Sequence, residues 1–197
     1  MVVVHVAPVG GPSFVAARVV IGVFAVGLIA DRLVGGATPW RAARTDRGTF
    51  WLIQGGQLIA LYLGLELPRW ASSGRLARPL WPVGVVVMVA GIGLRVWSVH
   101  TLGASFHRDV RVEAGQTLVT SGPYRWVRHP SYTAVLLMFA GLGVAQADAY
   151  SIIVLAVLPT LVYLRRIAVE EAALDAAFGA SYRAFAADRK RLVPGVY

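Results

Sequence analysis

Residues 121–132 read SGPYRWVRHPSY, with apolar sequence on both sides. Two arginines, a histidine, two prolines, two tyrosines and a tryptophan stand together in that short run. Placed between lipid-like stretches, such a cluster is either an interfacial anchor or one wall of a site. Composition sets the surroundings. Hydrophobic residues make up 57% of the 197 positions and charged residues 15%, against roughly 25% charged in soluble domains. Mean hydropathy is +0.63. One domain of this length has too little interior to hide so much apolar surface, so lipid is the expected solvent.

Working outward from the run, five apolar segments can be drawn: about Phe14–Leu33, Thr49–Leu67 (closed by Pro68), Leu80–Leu102, Pro130–Gln146 and Tyr150–Leu164. The first three are long enough to cross a ~30 Å hydrocarbon core at 1.5 Å per residue. The last two are short, and Gln146-Ala147-Asp148 between them predicts a tight helical hairpin. Pro159, inside the fifth, predicts a kink or an unpaired carbonyl. Beyond Leu164, apolar residues at 167, 174, 178, 182 and 185 follow helical spacing. They predict a helix leaving the membrane, a break near Gly179 and a second amphipathic helix. The expected fold is an all-α integral membrane protein: five transmembrane helices, the last two a hairpin, then cytosolic C-terminal helices.

The net charge is +9 and the pI about 10.8. Because the basic residues cluster in the gaps between apolar runs, positive-inside topology and anionic lipid explain them better than nucleic acid does. Arg32, Arg41, Arg44 and Arg47, then Arg108, Arg111, Arg125 and Arg128, then the tail from Arg165 to Arg191 fall on one side if there are five crossings. That side is the cytosol, with the N-terminus outside and the C-terminus inside. Arg69, Arg75 and Arg78 run against the trend. The N-terminus lacks the charged n-region and cleavage site of a signal peptide. With no cysteine, disulfides, Cys-bound zinc, iron–sulfur clusters and thiol nucleophiles are excluded. His5, His100 and His107 have no ligand spacing, and no metal site is expected. The chain has no H-E-x-x-H, G-x-S-x-G or P-loop. Gly91-x-Gly93 and Gly141-x-Gly143 predict close helix packing.

Gly122-Pro123 marks a turn, His129 before a proline leans to extended backbone, and Pro130 suits the first turn of a helix. The loop therefore delivers Arg128 and His129 to the N-terminus of segment four, where free N–H groups favour a carboxylate or phosphate. Tyr124, Trp126 and Tyr132 offer aromatic faces to a cation or purine. A second polar group is Arg165, Arg166, Glu170 and Glu171. Arg166 and Glu170 lie one helical turn apart. Snorkelling arginines and a solvated i,i+4 pair are the structural alternative. The hairpin brings the end of segment five beside the start of segment four, so the two polar groups meet. Arg95, inside segment three, is a further suspect, accountable also by pairing with a loop carboxylate.

These residues carry a resemblance. Leu118 to Tyr132, read as LVTSGPYRWVRHPSY, resembles the signature of the isoprenylcysteine carboxyl methyltransferase family, which is related to the phospholipid N-methyltransferases. Arg166-Ile167, Glu170-Glu171, Leu174, Phe178-Gly179, Tyr182 and Leu192-Val193-Pro194 resemble its C-terminal signature, and His100-Thr101-Leu102-Gly103 its lead-in. The resemblance covers about residue 80 to the end. It divides the chain into 1–79, two N-terminal helices with loops, and 80–197, a methyltransferase core with a cofactor loop at 103–130. It implies a membrane enzyme that transfers methyl from S-adenosylmethionine to a lipophilic small-molecule or lipid acceptor at the cytosolic face. Leu118, Val119, Tyr124, His129, Pro130, Tyr132 and Glu171 would hold the cofactor, with Arg128 beside them. Arg166 and Glu170 would lie closest to the transferred methyl and acceptor. A carboxylate acceptor needs only an arginine to pin it; an amine or hydroxyl would need Glu170 or His129 as base. The Ala, Val, Gly and Arg bias points to a high-GC bacterial source, hence a prokaryotic-type member in a plasma membrane. An NADPH-dependent reductase of sterol-reductase-like architecture and a non-catalytic lipid-binding protein are the alternatives.

Overall fold

A computed structural model of the chain describes residues 14–34, 48–70, 76, 80–103 and 117–196, with backbone only at 14–16, 30–34 and 67–70. Every regular element within them is helical. The elements are α1 (Phe14–Val34), α2 (Thr49–Trp70), α3 (Trp81–Leu102), α4 (Pro130–Ala145), α5 (Ala149–Phe178) and α6 (Ala180–Ala187), with a 3-10 turn at Gly122–Arg125. Across the bundle the order is α1, α3, α4, α5, α2. Sequence order is thus not spatial order: α2 packs on α5, and α4 sits at the centre. The core joins Val20 and Phe24 of α1, Ala60 of α2, Met88 of α3, Phe139 and Leu142 of α4, and Leu155 and Tyr163 of α5.

Small residues let the central helices approach closely. A Cβ at Gly84 would lie 2.4 Å from the Gly141 carbonyl oxygen, and one at Gly91 2.8 Å from that of Ala134. Gly143 faces α5, where a Cβ would meet Ile152 Cα at 2.9 Å. Three of the four expected packing glycines therefore do that work. Gly93 does not: nothing lies within 4 Å of its would-be Cβ, because two residues along a helix turn it away from the face Gly91 presents.

The hairpin forms as its sequence predicts. Ala147 takes φ 51°. Asp148 caps α5 by accepting the Ser151 N–H at 3.0 Å. The Leu76 N–H bonds the Ala147 carbonyl at 2.9 Å.

One boundary differs from expectation, that of α2. The fifth apolar segment and the helix expected to leave the membrane beyond Leu164 form one helix, α5, of 30 residues, about 45 Å long at 1.5 Å per residue. It passes through Pro159, which is fully buried. Tertiary packing outweighs the proline penalty: would-be Cβ atoms at Gly64 and Gly56 of α2 lie 2.5 Å from Leu155 and 2.6 Å from Val162, so α2 is notched on either side of that proline. α2 likewise runs past Pro68 to Trp70. Proline 68 cannot donate to the Gly64 carbonyl, and the Ser151 hydroxyl does so instead at 2.8 Å.

Among the described residues, α3 and α5 are the two helices long and apolar enough to cross a membrane; α4 and the apolar stretch Ala17–Ile29 of α1 are shorter. α2 is long, but Gln54, Gln57 and Glu66 lower its hydropathy. Gln57 has a packing reason, since its Nε2 donates to the Tyr163 hydroxyl of α5 at 2.9 Å. Residues 1–13, half of the 103–130 loop (104–116) and the orientation-bearing Arg41, Arg44, Arg47, Arg75, Arg78, Arg108 and Arg111 lie outside the described residues. So do His5 and His107 and the side chains of Arg32 and Arg69. α5 ends as expected at Gly179, whose φ is 52°, and α6 buries Tyr182 and Phe185.

Candidate active site

Gly122, at φ 56°, opens the 3-10 turn that the Gly-Pro pair predicts. The chain then runs alongside the C-terminal segment. Val127 bridges Lys190 in parallel register. The Arg128 and His129 N–H groups bond the Lys190 and Arg191 carbonyls at 2.9 Å each, and the Thr133 hydroxyl donates to Leu192 O at 2.8 Å. The loop is therefore clamped from outside by the tail. Pro130 takes the first turn of α4 with His129 as its N-cap. That terminus is less open than its sequence suggests: the Tyr132 and Thr133 N–H groups already bond the His129 carbonyl. The Ser131 hydroxyl accepts from the Arg95 guanidinium, so α4 engages Arg95; the loop carboxylates at 109 and 113 lie outside the described residues.

Two polar hubs form five residues apart on α5, centred on Glu171 and Arg166. Glu171 Oε1 lies 2.9 Å from Arg128 Nη1 and 3.2 Å from His129 Nε2, while Oε2 accepts from Arg191 Nε and Nη2 at 3.0 and 2.8 Å. Such charge-assisted contacts fix both the loop and the tail on one carboxylate. The second hub centres on Arg166, which is 2% exposed. Its Nε donates to the Tyr132 hydroxyl at 3.2 Å and its Nη1 to Thr49 Oγ1 at 2.7 Å. The Tyr132 hydroxyl in turn donates to Glu170. A buried guanidinium held by these bonds is a rigid cation on α5, tied to both α4 and α2.

The aromatic residues separate into two roles. Tyr132 stacks on His129 with ring centroids 5.5 Å apart and meets Tyr163 at 4.9 Å. Trp126, half exposed, instead pairs edge-on with Trp97 at 5.6 Å under the Arg125 guanidinium. That pair is interfacial in character. Arg165 and Arg166 divide the same way: the first is exposed and the second buried.

Burial pushes the Tyr124 hydroxyl upward, and Glu170 adds to the effect while Arg95 opposes it. Burial also raises Tyr182, with Glu171 adding and Arg128 opposing. Both stay neutral donors at physiological pH. Arg128 Nε and Tyr182 Oη are buried and lack a hydrogen-bond partner of good geometry among the described residues. Leu118 and Val119 are half-buried on the stretch leading into the turn.

Of the residues singled out from sequence, Arg128, His129, Tyr132, Arg166, Glu170 and Glu171 converge at one end of the bundle, with Pro130 and Tyr124 beside them. Two partners carried no such signal. Arg191 looked like one more tail arginine, because nothing in sequence pairs it with Glu171. Thr49 is a lone hydroxyl at the start of a helix outside every motif.

A profile described as the isoprenylcysteine carboxyl methyltransferase (ICMT) family matches residues 84–176. The chain is 31% identical over 140 residues to Arabidopsis thaliana protein-S-isoprenylcysteine O-methyltransferase A, covering 70% of this chain and 66% of that one. It is 34% identical over 113 residues to the mouse protein-S-isoprenylcysteine O-methyltransferase, covering 56% and 38%. The chain thus spans about two thirds or less of the length of these curated relatives. In fold it is similar to a solved eukaryotic intramembrane Ras methyltransferase ICMT, with a TM-score of 0.62 at 21% identity over 92% of this chain and 65% of the other.

Proposed function

The chain belongs to the isoprenylcysteine carboxyl methyltransferase family, and we propose that it is an integral membrane enzyme methylating the carboxylate of a lipophilic acceptor at the cytosolic face. The observation that carries this is Arg166: a fully buried guanidinium held by Tyr132 and Thr49, one helical turn from Glu170 and next to the cation-rich Glu171 hub. A carboxylate is ionised at neutral pH and needs no base. Arg166 pins it, and Glu170 holds Tyr132 in place through the tyrosine hydroxyl. The family points to a prenylated cysteine as the acceptor class. It does not favour the reductase alternative.

The residues fit S-adenosylmethionine. Arg128 Nε and Tyr182 Oη belong to side chains that lie against one another and lack a partner of good geometry among the described residues, which an incoming carboxylate or hydroxyl would supply. His129, Tyr132 and Tyr124 make an aromatic wall suited to a sulfonium and a purine, and the cation-rich hub at Glu171 suits the cofactor's carboxylate. Pro130 positions the wall, and Leu118 and Val119 line its entry. When bound, S-adenosylmethionine supplies a methyl group already activated as an electrophile. The protein's remaining task is alignment in a water-poor site, the proximity contribution to catalysis. Residues 80–197 form this core, 1–79 flank it, and five crossings place both hubs at the cytosolic surface of a bacterial plasma membrane, with the N-terminus outside.

The test uses purified protein in detergent. S-adenosylhomocysteine should raise the melting temperature and NADPH should not. Labelled methyl should pass to N-acetyl-S-farnesylcysteine as a base-labile ester. Stabilisation by NADPH alone, or no transfer to any carboxylate in a lipid extract, would refute the reading.

A further inference from the structure

Arg166 is anchored by a residue from outside the family match. Its Nη1 donates to Thr49 Oγ1 at 2.7 Å across 117 positions of sequence, while the profile begins at residue 84. Thr49 is itself 2% exposed and is the first residue of α2. A side chain at a helix start normally meets water or caps its own helix; this one is buried against the guanidinium of another helix.

The seam between α2 and α5 explains how Thr49 gets there. Leu155 and Val162 seat in the notches at Gly64 and Gly56. Gln57 bonds Tyr163, two turns along α2 from Thr49. Ser151 reaches back to the Gly64 carbonyl. These contacts fix the rotation and height of α2 on α5, and with them the position of the Thr49 hydroxyl. A second anchor of Arg166, Tyr132, comes from α4, on the opposite flank of α5. A planar guanidinium tied through Nε to one helix and through Nη1 to another cannot rotate about its long axis without breaking a buried hydrogen bond.

We propose that Thr49 is a positioning residue: it sets the plane of the Arg166 guanidinium, so α2 is part of the active site. The kinetic part rests on the function proposed above. A fork held at the right angle presents parallel N–H groups to a carboxylate, and small misplacements of such a clamp are costly in rate.

The experiment compares Thr49→Val, Thr49→Ala and Thr49→Ser in the full chain. Valine keeps the shape and removes the acceptor; alanine leaves room for water; serine keeps the hydroxyl. With N-acetyl-S-farnesylcysteine, kcat should fall roughly 10- to 100-fold in Val and Ala and recover in Ser. Affinity for S-adenosylhomocysteine should stay within about twofold in all three, since the lost interaction concerns orientation of the acceptor clamp. A second readout does not depend on turnover. Phenylglyoxal modification of Arg166, localised by fragmentation mass spectrometry against exposed Arg165, should rise severalfold in Val and Ala and not in Ser.

Unchanged kcat and unchanged Arg166 reactivity in Val and Ala would overturn the proposal. So would a loss in Ser as deep as in Val, which would make Thr49 a packing residue. If the wild-type chain methylates no carboxylate but Arg166 protection still depends on Thr49, the proposed activity falls and the positioning stands.

Discussion

At the turn joining α4 to α5, Asp148 is 1% exposed and its Oδ1 accepts the Ser151 N–H at 3.0 Å. Toward the other end of α5, Glu171 accepts from His129, 42 positions away, and from Arg191, 20 positions away, besides Arg128. The first carboxylate serves the chain within three residues of itself. Its contact forms when the helix nucleates and has no further reach. The second has no local reason to exist. It gathers charge from the α4 loop and the tail only after both have docked. Cationic groups outnumber the carboxylate there, so folding energy alone does not explain the arrangement. Groups brought together at a desolvation cost are better explained by what they hold than by what they stabilise.

That contrast ranks the expected mutational effects. Arg166→Ala, next to the Glu171 hub, should be the most severe. Methyl transfer should drop by roughly 10²- to 10³-fold, the range for removing one aligned electrostatic contact, while the protein remains folded in detergent. Retained turnover would move the catalytic role off Arg166. Glu171→Ala should come next. It leaves Arg128, His129 and Arg191 facing one another. Losing one partner of a buried pair costs about 3–5 kcal/mol, and the 36% exposure of Arg191 places the cost here nearer 2–3 kcal/mol. The readout is hydrogen exchange at the Arg128 and His129 amides, which bond the tail carbonyls. Faster exchange there, with weaker binding of S-adenosylhomocysteine, is expected. Unaltered exchange would mean the tail docks without Glu171.

How far all this was legible follows the same local-versus-distant division. Apolar run length, helical spacing beyond Leu164 and the Gly and Pro punctuation located the helices α1 to α6 of the described residues, and the hairpin brought the Arg166–Glu171 stretch beside the SGPYRWVRHPSY loop. Local rules failed at Pro68. There the missing N–H is answered from another helix, by the Ser151 hydroxyl. They also failed at Thr49 and Arg191, whose partners are 117 and 20 positions away. A single threonine or arginine has no periodicity and no spacing, so sequence had no means of flagging either. The side-by-side arginines 165 and 166 are the sharpest case: composition cannot separate them, and helical phase puts one on the surface and one in the core.

The smallest effect is the most discriminating. Asp148→Ala removes a helix cap worth about 1 kcal/mol. Part of that loss is offset, because Asp148 Oδ2 is buried without a partner among the described residues and its removal relieves that desolvation. Stability should therefore fall by no more than about 1 kcal/mol. Methyl transfer, S-adenosylhomocysteine affinity and exchange at Arg128 and His129 should match wild type, since a 30-residue helix can fray at one end without shifting the other. If Asp148→Ala instead cut transfer as deeply as Glu171→Ala, α5 would be acting as one rigid lever, and the hairpin turn would have to be counted with the site.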